Sequence, residues 1–317
     1  MKMLALLPLL ALANAYSNPG ACSGDCWTHD PGLYQRVSDG KYFRFATGGG
    51  VHIASADSIK GPWTDDGYAL PNGSSIDHPG STNLWAPDVH YENNKYYMYY
   101  SVSTLGSQTS VIGVASSPTM EVGSWTDHGT TGLSSTPEKP YNAIDANWVK
   151  IADTSYMNWG SYWHNLYQAP MESPLKLGSQ EPTNIAYNAT GTHNIEATFI
   201  FQHGDYYYLT WSAGKAAGYE TNLPAPGNEY RVVVCRSESG TGGFVDKNGK
   251  SCLESGGTTL LESHGNVYGP GGQGIVNDKD LGLVLYYHYA DKTIGLAKEK
   301  YQFGWNQLQW ADGWPSV

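Results

Sequence analysis

Four acidic residues recur along this chain in similar apolar surroundings. They are Asp30 in Thr28-His29-Asp30-Pro31, Asp88 in Trp85-Ala86-Pro87-Asp88-Val89, Asp145 in Asn142-Ala143-Ile144-Asp145-Ala146-Asn147-Trp148, and Glu196 in Asn194-Ile195-Glu196-Ala197. Successive acids stand 58, 57 and 51 residues apart. An ionised carboxylate is costly to bury without partners. An acid set into an apparently buried strand, and repeated at a near-constant interval, therefore demands a fold that brings its repeats to a shared point.

The stretches between the acids define the unit. A turn such as Ser38-Asp39-Gly40, Glu92-Asn93-Asn94, His203-Gly204 or Asn277-Asp278-Lys279-Asp280 leads into a Tyr-rich strand, Lys41 to Phe45, Lys95 to Tyr100, Asp205 to Trp211 or Leu283 to Tyr289. A further strand type follows at Val51 to Ser55, Val111 to Ser116, Tyr230 to Arg236 and Thr293 to Lys298. Two units close alike, on Trp63-Thr64-Asp65 and Trp125-Thr126-Asp127. Three or four short antiparallel strands per ~50–60 residues make a propeller blade. With Ser155 to Tyr167 as a divergent Tyr-rich strand, the count is five. In the fifth unit Tyr268 to Gly274 replaces the acid. The expectation is an all-β, five-bladed β-propeller in a single domain, residues 16–317. A pair of β-sandwiches, the competing architecture, leaves the shared acid unexplained.

The first strand of each blade lines the propeller axis, so Asp30, Asp88, Asp145 and Glu196 are expected to converge at one end of it. Like charges so placed raise one another's pKa values, and one acid can keep its proton while another ionises. Glycoside hydrolysis needs such a pair, one carboxylic acid for the leaving oxygen and one carboxylate to activate water. The structural alternative is that these acids tie down strand ends by accepting backbone N–H groups. Asp88, beside Pro87 and Trp85, is the expected structural member. Glu196, between Ile195 and Ala197-Thr198-Phe199, should be desolvated and protonated, and Asp30, beside Thr28 and His29, should be ionised.

Residues 1–15 carry a lysine, an apolar run from Leu4 to Ala13 and Ala13-Asn14-Ala15, the pattern of a secretory signal peptide, with a buried N-terminal helix as the alternative. A secreted, extracellular protein without a membrane anchor is expected. The net charge of −11 argues against a nucleic-acid partner. The 24 tyrosines, 11 tryptophans and 38 glycines suit strands, turns and aromatic-lined surfaces that take a neutral ligand. Of three pairings open to four cysteines, the local pairs Cys22–Cys26 and Cys235–Cys252 are favoured for an oxidising compartment, with zinc as the rival at Cys22 and Cys26. Asn72 and Asn188 head glycosylation sequons.

His29-Asp30-Pro31, Asn142-Ala143-Ile144-Asp145 and Ile195-Glu196-Ala197, with Trp85-Ala86-Pro87-Asp88 and Gly160-Ser161-Tyr162-Trp163, resemble the motifs of the endo-1,5-α-L-arabinanases of glycoside hydrolase family 43 over nearly the whole mature chain. The resemblance implies hydrolysis of arabinan, a pectin side chain, by inversion, with Asp30 as general base, Glu196 as general acid and Asp145 as the acid's pKa modulator. It also implies that His288 stands beside an axial metal ion, usually calcium, held largely through water. The Gly271-Gly272-Gln273-Gly274 run departs from the family by lacking a histidine. Trp85, Trp148, Trp159, Tyr162 and Trp163 are candidates for stacking on sugar rings, and His29, Asn142 and Ser161 for polar contacts to them. No organic cofactor and a monomeric enzyme are expected. An exo-acting α-L-arabinofuranosidase or β-xylosidase of the same superfamily is the alternative within enzymes. A non-catalytic sugar-binding propeller is the alternative outside them.

Overall fold

The computed structural model describes residues 16–191 and 193–317, and the leader expected at residues 1–15 lies outside them. Among the described residues there is no α-helix. Five antiparallel sheets follow one another along the chain. The first holds Gly32–Gln35 (β1), Tyr42–Ala46 (β2), His52–Ala56 (β3) and Thr64–Tyr68 (β4). The second holds Trp85–Glu92 (β5), Lys95–Val102 (β6), Ser110–Ser117 (β7) and Thr126–Ser135 (β8). The third holds Asn147–Ile151 (β9), Thr154–Trp159 (β10) and Leu166–Ser173 (β11), with Lys176–Leu177 (β12) and Thr183–Ala186 (β13) both on β11.

The fourth sheet holds Ile195–His203 (β14), Tyr206–Ala213 (β15), Arg231–Ser237 (β16) and Thr258–Leu261 (β17). The fifth holds Val267–Asp278 (β18), Gly282–Asp291 (β19) and Gln302–Gln307 (β20), before a last hairpin of Gln309–Ala311 (β21) and Trp314–Ser316 (β22). The first strands β1, β5, β9, β14 and β18 neighbour one another in a closed ring. This is the expected five-bladed propeller. Local chemistry sets the hairpins: Asn93 and Asn94, at φ of 51° and 61°, form the two-residue turn that joins β5 to β6, a conformation that asparagine tolerates.

One apolar cluster fills each gap between blades. Phe43 and Phe45 of β2 meet Tyr96, Met98 and Tyr100 of β6. Tyr99, Ile112 and Val114 of the second blade meet Met157 and Trp159 of the third. Val149 and Ile151 meet Ile200, Leu209 and Trp211. Tyr208 and Val232 meet Leu285 and Tyr287. Val284 and Tyr286 meet Leu33 and Tyr42. The Tyr-rich strands are thus second strands whose alternate side chains pack toward the blades on either side, so that the hydrophobic effect acts between blades.

Two expected strands are corrected. Ser155 to Tyr167 is no single strand, because the loop from Gly160 to Asn165 divides it between β10 and β11. The second strand of the third blade is Thr154–Trp159. Thr293 to Lys298 is not a strand either: Ile294 and Gly295 donate their N–H groups back to Asp291 O in a turn, and the third strand of the fifth blade begins at Gln302.

The fifth sheet has three strands, and residues 20–28 complete it. Gly20 N–H donates to Trp305 O at 2.8 Å, Phe303 N–H to Cys26 O at 2.8 Å, and Trp27 bridges Gln302 antiparallel. On its other side the segment meets the first blade, with Asp25 N–H on Trp63 O at 2.9 Å. Cys22–Cys26 and Cys235–Cys252 are both bonded, as expected. Arg44, only 1% exposed, lies against the Trp63 and Phe303 rings and donates from Nη2 to Asp25 O at 2.7 Å and Trp27 O at 3.0 Å. Arg44→Met would leave those carbonyls unpaired in a dry site. A loss of about 3 kcal/mol, read as a Tm lower by roughly 5 °C or more in thermal unfolding, is expected.

Candidate active site

The five first strands begin with the same local geometry. Just ahead of each, or within it, stands a residue in a left-handed conformation: Asp30 (φ 45°), Ala86 (42°), Asp145 (58°), Ala197 (55°) and Gly272 (59°). Four of these are not glycine, and each such residue costs roughly 1–2 kcal/mol. The cost is offset by a hydrogen bond repeated around the ring. Asp30 N–H donates to His288 Nδ1 at 3.0 Å, Ala86 N–H to Thr47 Oγ1 at 2.8 Å, Asp145 N–H to Ser101 Oγ at 3.0 Å and Gly272 N–H to Ser212 Oγ at 2.9 Å.

Each acceptor lies on or next to the second strand of the preceding blade. It stands opposite the residue that precedes that blade's own left-handed position: Trp85 faces Ser101, Glu196 faces Ser212 and Gly271 faces His288. In the third blade the corresponding residue is Gly160, paired with Ile144. It has no side chain to offer, and a Cβ there would come within 2.0 Å of Asn165 O. The Asp145 carboxylate takes the role instead, accepting Ala197 N–H on Oδ2 at 3.0 Å.

This register corrects the expectation that the four acids, repeating at a near-constant interval, hold the same place in their blades. Asp30 and Asp145 share the left-handed position, Glu196 precedes it and Asp88 lies two residues beyond it. Asp88 is buried and accepts Trp148 N–H at 2.8 Å and an Asn147 amide N–H at 3.4 Å, the structural role expected of it. An axial cavity of about 40 Å³ runs between the groups, lined by Asp30, Asp145 and Ala197 and, further along the strands, by Asp88, Asn147 and Thr198.

The surroundings separate the acids electrostatically. Burial pushes Asp30 up, but His29, His288 and the Thr47 hydroxyl, 3.0 Å from Oδ2, outweigh it and hold Asp30 below the usual carboxylate value. Burial depresses His288 to about 3, so that ring is neutral near pH 7. Burial and the charges of Glu196 and Asp30 hold Asp145 well above its ordinary value. Glu196 is raised too, by burial first and by Asp30, against opposing bonds from Ser161 Oγ (2.7 Å to Oε2) and Tyr230 OH (3.0 Å to Oε1). The arrangement suits one ionised carboxylate facing a pair that retains a proton between them.

The structure distributes the substrate candidates unevenly. Tyr162 and Trp163, 41% and 37% exposed, lie on the Gly160–Asn165 loop, Tyr162 near Glu196, and are free to meet a ligand. Trp85 occupies in its blade the register of Glu196 and is half-buried. His29 is half-buried, with Nδ1 3.3 Å from Asp30 Oδ2. Ser161 is buried against Glu196 rather than open to a sugar. Asn142 is buried and spent on Ser110 Oγ, Ser135 Oγ and Ser107 O, so it braces the loop ahead of Asp145. Trp159 fills the gap between blades, and Trp148 is stacked on His90 at 3.9 Å. Among the sequons, Asn72 is exposed, whereas Asn188 is half-buried and accepts its own Thr190 hydroxyl at 2.7 Å.

Among the described residues one group of three could hold a metal, His29, Asp30 and His288, with ligand atoms within 4.8 Å of one another. Calcium takes six to eight oxygen ligands, whereas this set supplies two imidazoles and one carboxylate. The His288 Nδ1 lone pair is already engaged by Asp30 N–H. The set does not fit a calcium in direct contact. The residues missed in the sequence are Tyr230, Thr47, Ser101 and Ser212, single polar groups in aromatic or apolar strands.

The sequence profile of glycosyl hydrolases family 43 matches residues 67–315. An Aspergillus terreus chain named "Probable arabinan endo-1,5-alpha-L-arabinosidase C" is 66% identical over 314 residues, covering 98% of each chain. The structure of a native Bacillus subtilis arabinanase, Arb43A, superposes with a TM-score of 0.81 at 31% identity, over 93% of this chain and 99% of that one. An exo-1,5-α-L-arabinanase from a bovine ruminal metagenomic library gives a TM-score of 0.82 at 28% identity, over 93% and 98%.

Asp88 yields a test of its structural role. Burial raises it to about 7, against bonds from Trp148, Asn147 and Val89. With a folded pKa above the unfolded one, Asp88 favours folding below about pH 4 and loses that contribution as pH rises to about 7. Asp88→Asn removes the dependence. Relative to the wild type, the variant should gain roughly 2–4 kcal/mol between pH 4 and 7 and nothing beyond, in parallel thermal melts, with activity retained.

Proposed function

The chain belongs to glycoside hydrolase family 43, and we propose that it is an endo-acting arabinanase that cleaves internal α-1,5-L-arabinofuranosidic bonds of arabinan with inversion. The observation that carries this reading is the electrostatic separation at the axis, with Asp30 lowered, Asp145 raised by burial and by the charges of Glu196 and Asp30, and Glu196 raised by burial and by Asp30. The names borne by the Aspergillus relative and the Bacillus structure support arabinan as substrate, and the former supports endo action.

In the mechanism, Asp30 takes a proton from water as that water attacks the anomeric carbon, and Glu196 gives its proton to the departing glycosidic oxygen. Thr47 and His29 favour the ionised form of Asp30 before the attack. Asp145 transfers no proton. It would instead share the pair's retained proton with Glu196, and its grip on Ala197 N–H fixes the backbone directly after the acid. Tyr162, Trp163 and Trp85 would supply the aromatic faces of the groove. An axial calcium ion, if the protein uses one, would be held through its waters near His29, Asp30 and His288, and no step runs through it. The two bonded disulfides accord with secretion to an oxidising compartment. The enzyme would work as a monomer.

Linear arabinan is the deciding substrate. Its solution viscosity should fall well before reducing ends accumulate, and NMR of the first product should show the inverted anomer. Asp30→Ala and Glu196→Ala should each lower kcat by roughly 10²–10⁴-fold with Tm little changed. Release of single arabinose units from the start would replace endo by exo action, and full activity in both variants would remove the assigned mechanism.

A further inference from the structure

Glu196 is held by two hydroxyls, one from each of two separate segments. Ser161 belongs to the loop after β10, beside the exposed aromatics. Tyr230 arrives from elsewhere, at the end of the long connection from Gly214 to Glu229 and just ahead of β16. Its ring is 2% exposed, and it reaches Oε1 of Glu196 at 3.0 Å. The site is built to admit that ring. A Cβ on Gly271 would come within 2.1 Å of it, and the His288 imidazole lies nearly parallel to it, with centroids 5.8 Å apart and planes at 20°. A phenol so enclosed cannot swing away.

We propose that Tyr230 is the positioning residue of the general acid, fixing the plane of the Glu196 carboxyl and taking up the charge it acquires on giving its proton away. The inference rests on the reading of Glu196 as that acid. In the step concerned, the Glu196 O–H bond breaks and its proton passes to the glycosidic oxygen, whose bond to the anomeric carbon breaks in turn. The new carboxylate then accepts the Tyr230 O–H on Oε1 and the Ser161 O–H on Oε2. Tyr230 loses no proton, because burial and the nearby Glu196, Asp30 and Asp145 hold its phenol far above the ordinary value.

The need for such a donor follows from what else faces Glu196. Asp30 and Asp145 face it from the first strands of the first and third blades, Tyr162 from the loop after β10 and Tyr219 from the loop after β15. All are acids or phenols, neutral or negative, and they make the ionised form of Glu196 costly. The hydroxyls of Ser161 and Tyr230 are the groups that oppose this.

The test is Tyr230→Phe, assayed on linear arabino-oligosaccharides and on an aryl arabino-oligosaccharide whose nitrophenol leaving group departs without protonation. Losing a hydrogen bond to a charged group should lower kcat on the natural linkage roughly 10- to 100-fold, and on the aryl substrate less than about threefold. The missing donor also raises the pKa of Glu196. An acid is lost as pH climbs through its pKa, so the alkaline limb of kcat/KM should move up by about one unit. Site-specific 3-fluorotyrosine at position 230, a stronger donor of nearly the same size, should move that limb down, which keeps the test sound even if the phenylalanine variant folds poorly. Glu196→Gln, run in parallel, should lose the natural linkage and keep the aryl one. If it keeps both, the reading of Glu196 as the acid fails. If it behaves as an acid variant while Tyr230→Phe lowers both substrates equally and neither change at position 230 moves the alkaline limb, the role of Tyr230 is overturned.

Discussion

The molecule depends on one hydrogen bond made five times. A backbone N–H at the mouth of each first strand is accepted by a side chain from the neighbouring blade, and that bond sets where the strand begins and which way its first side chains point. Thr47, Ser101, Ser212 and His288 serve four junctions, and Asp145 serves the fifth. The acceptor carboxylate is itself one of the axial acids. Structural and chemical demands therefore meet in a single residue, at the only junction where the preceding blade offers glycine. Truncating Asp145 would remove its charge and release the backbone beside Glu196 at once.

Three carboxylates around a narrow axis would repel one another strongly if all were ionised. The fold distributes them by neighbours rather than by distance. Asp30 has a hydroxyl donor and two imidazoles beside it, while Asp145 accepts only a backbone N–H and lies between the other two acids. Glu196 stands between these extremes, with two hydroxyls against burial and the Asp30 charge. The order of proton affinities follows from the number of donors each acid has and the number of anions it faces.

Much of this was legible in the sequence, for a physical reason. A propeller repeats its backbone more faithfully than its side chains, so Tyr-rich second strands and the spaced acids survive as a visible period. What the period concealed was phase. Left-handed residues interrupt the regular alternation of each first strand, and Glu196 and Asp88 fall one residue before and two after the position held by Asp30 and Asp145. In the same way, Asn142 reads as a polar group near an acid whether it faces a sugar or, as it does, three serines. Trp148 and Trp159 could not be told from Trp163 by composition, since an aromatic that fills a gap between blades and one that borders a groove differ only in what covers them. The histidine expected beside a metal proves to be the acceptor that joins the last blade to the first, a pairing of residues 258 positions apart that no local pattern could reveal.

That last junction bears on how the protein comes into being. Asp30 emerges early from the ribosome, yet the groups that hold it are among the last to follow: His288, which accepts its N–H, and the β20 strand, which receives residues 20–28. Until the fifth blade is made, the N-terminal segment has no sheet to join. A nascent chain can assemble the blades that carry Asp145 and Glu196 well before Asp30 has a place to stand. The three acids thus come together only in the finished ring, and a fragment that ends between residues 196 and 288 carries all three but not the His288 that holds Asp30 in line.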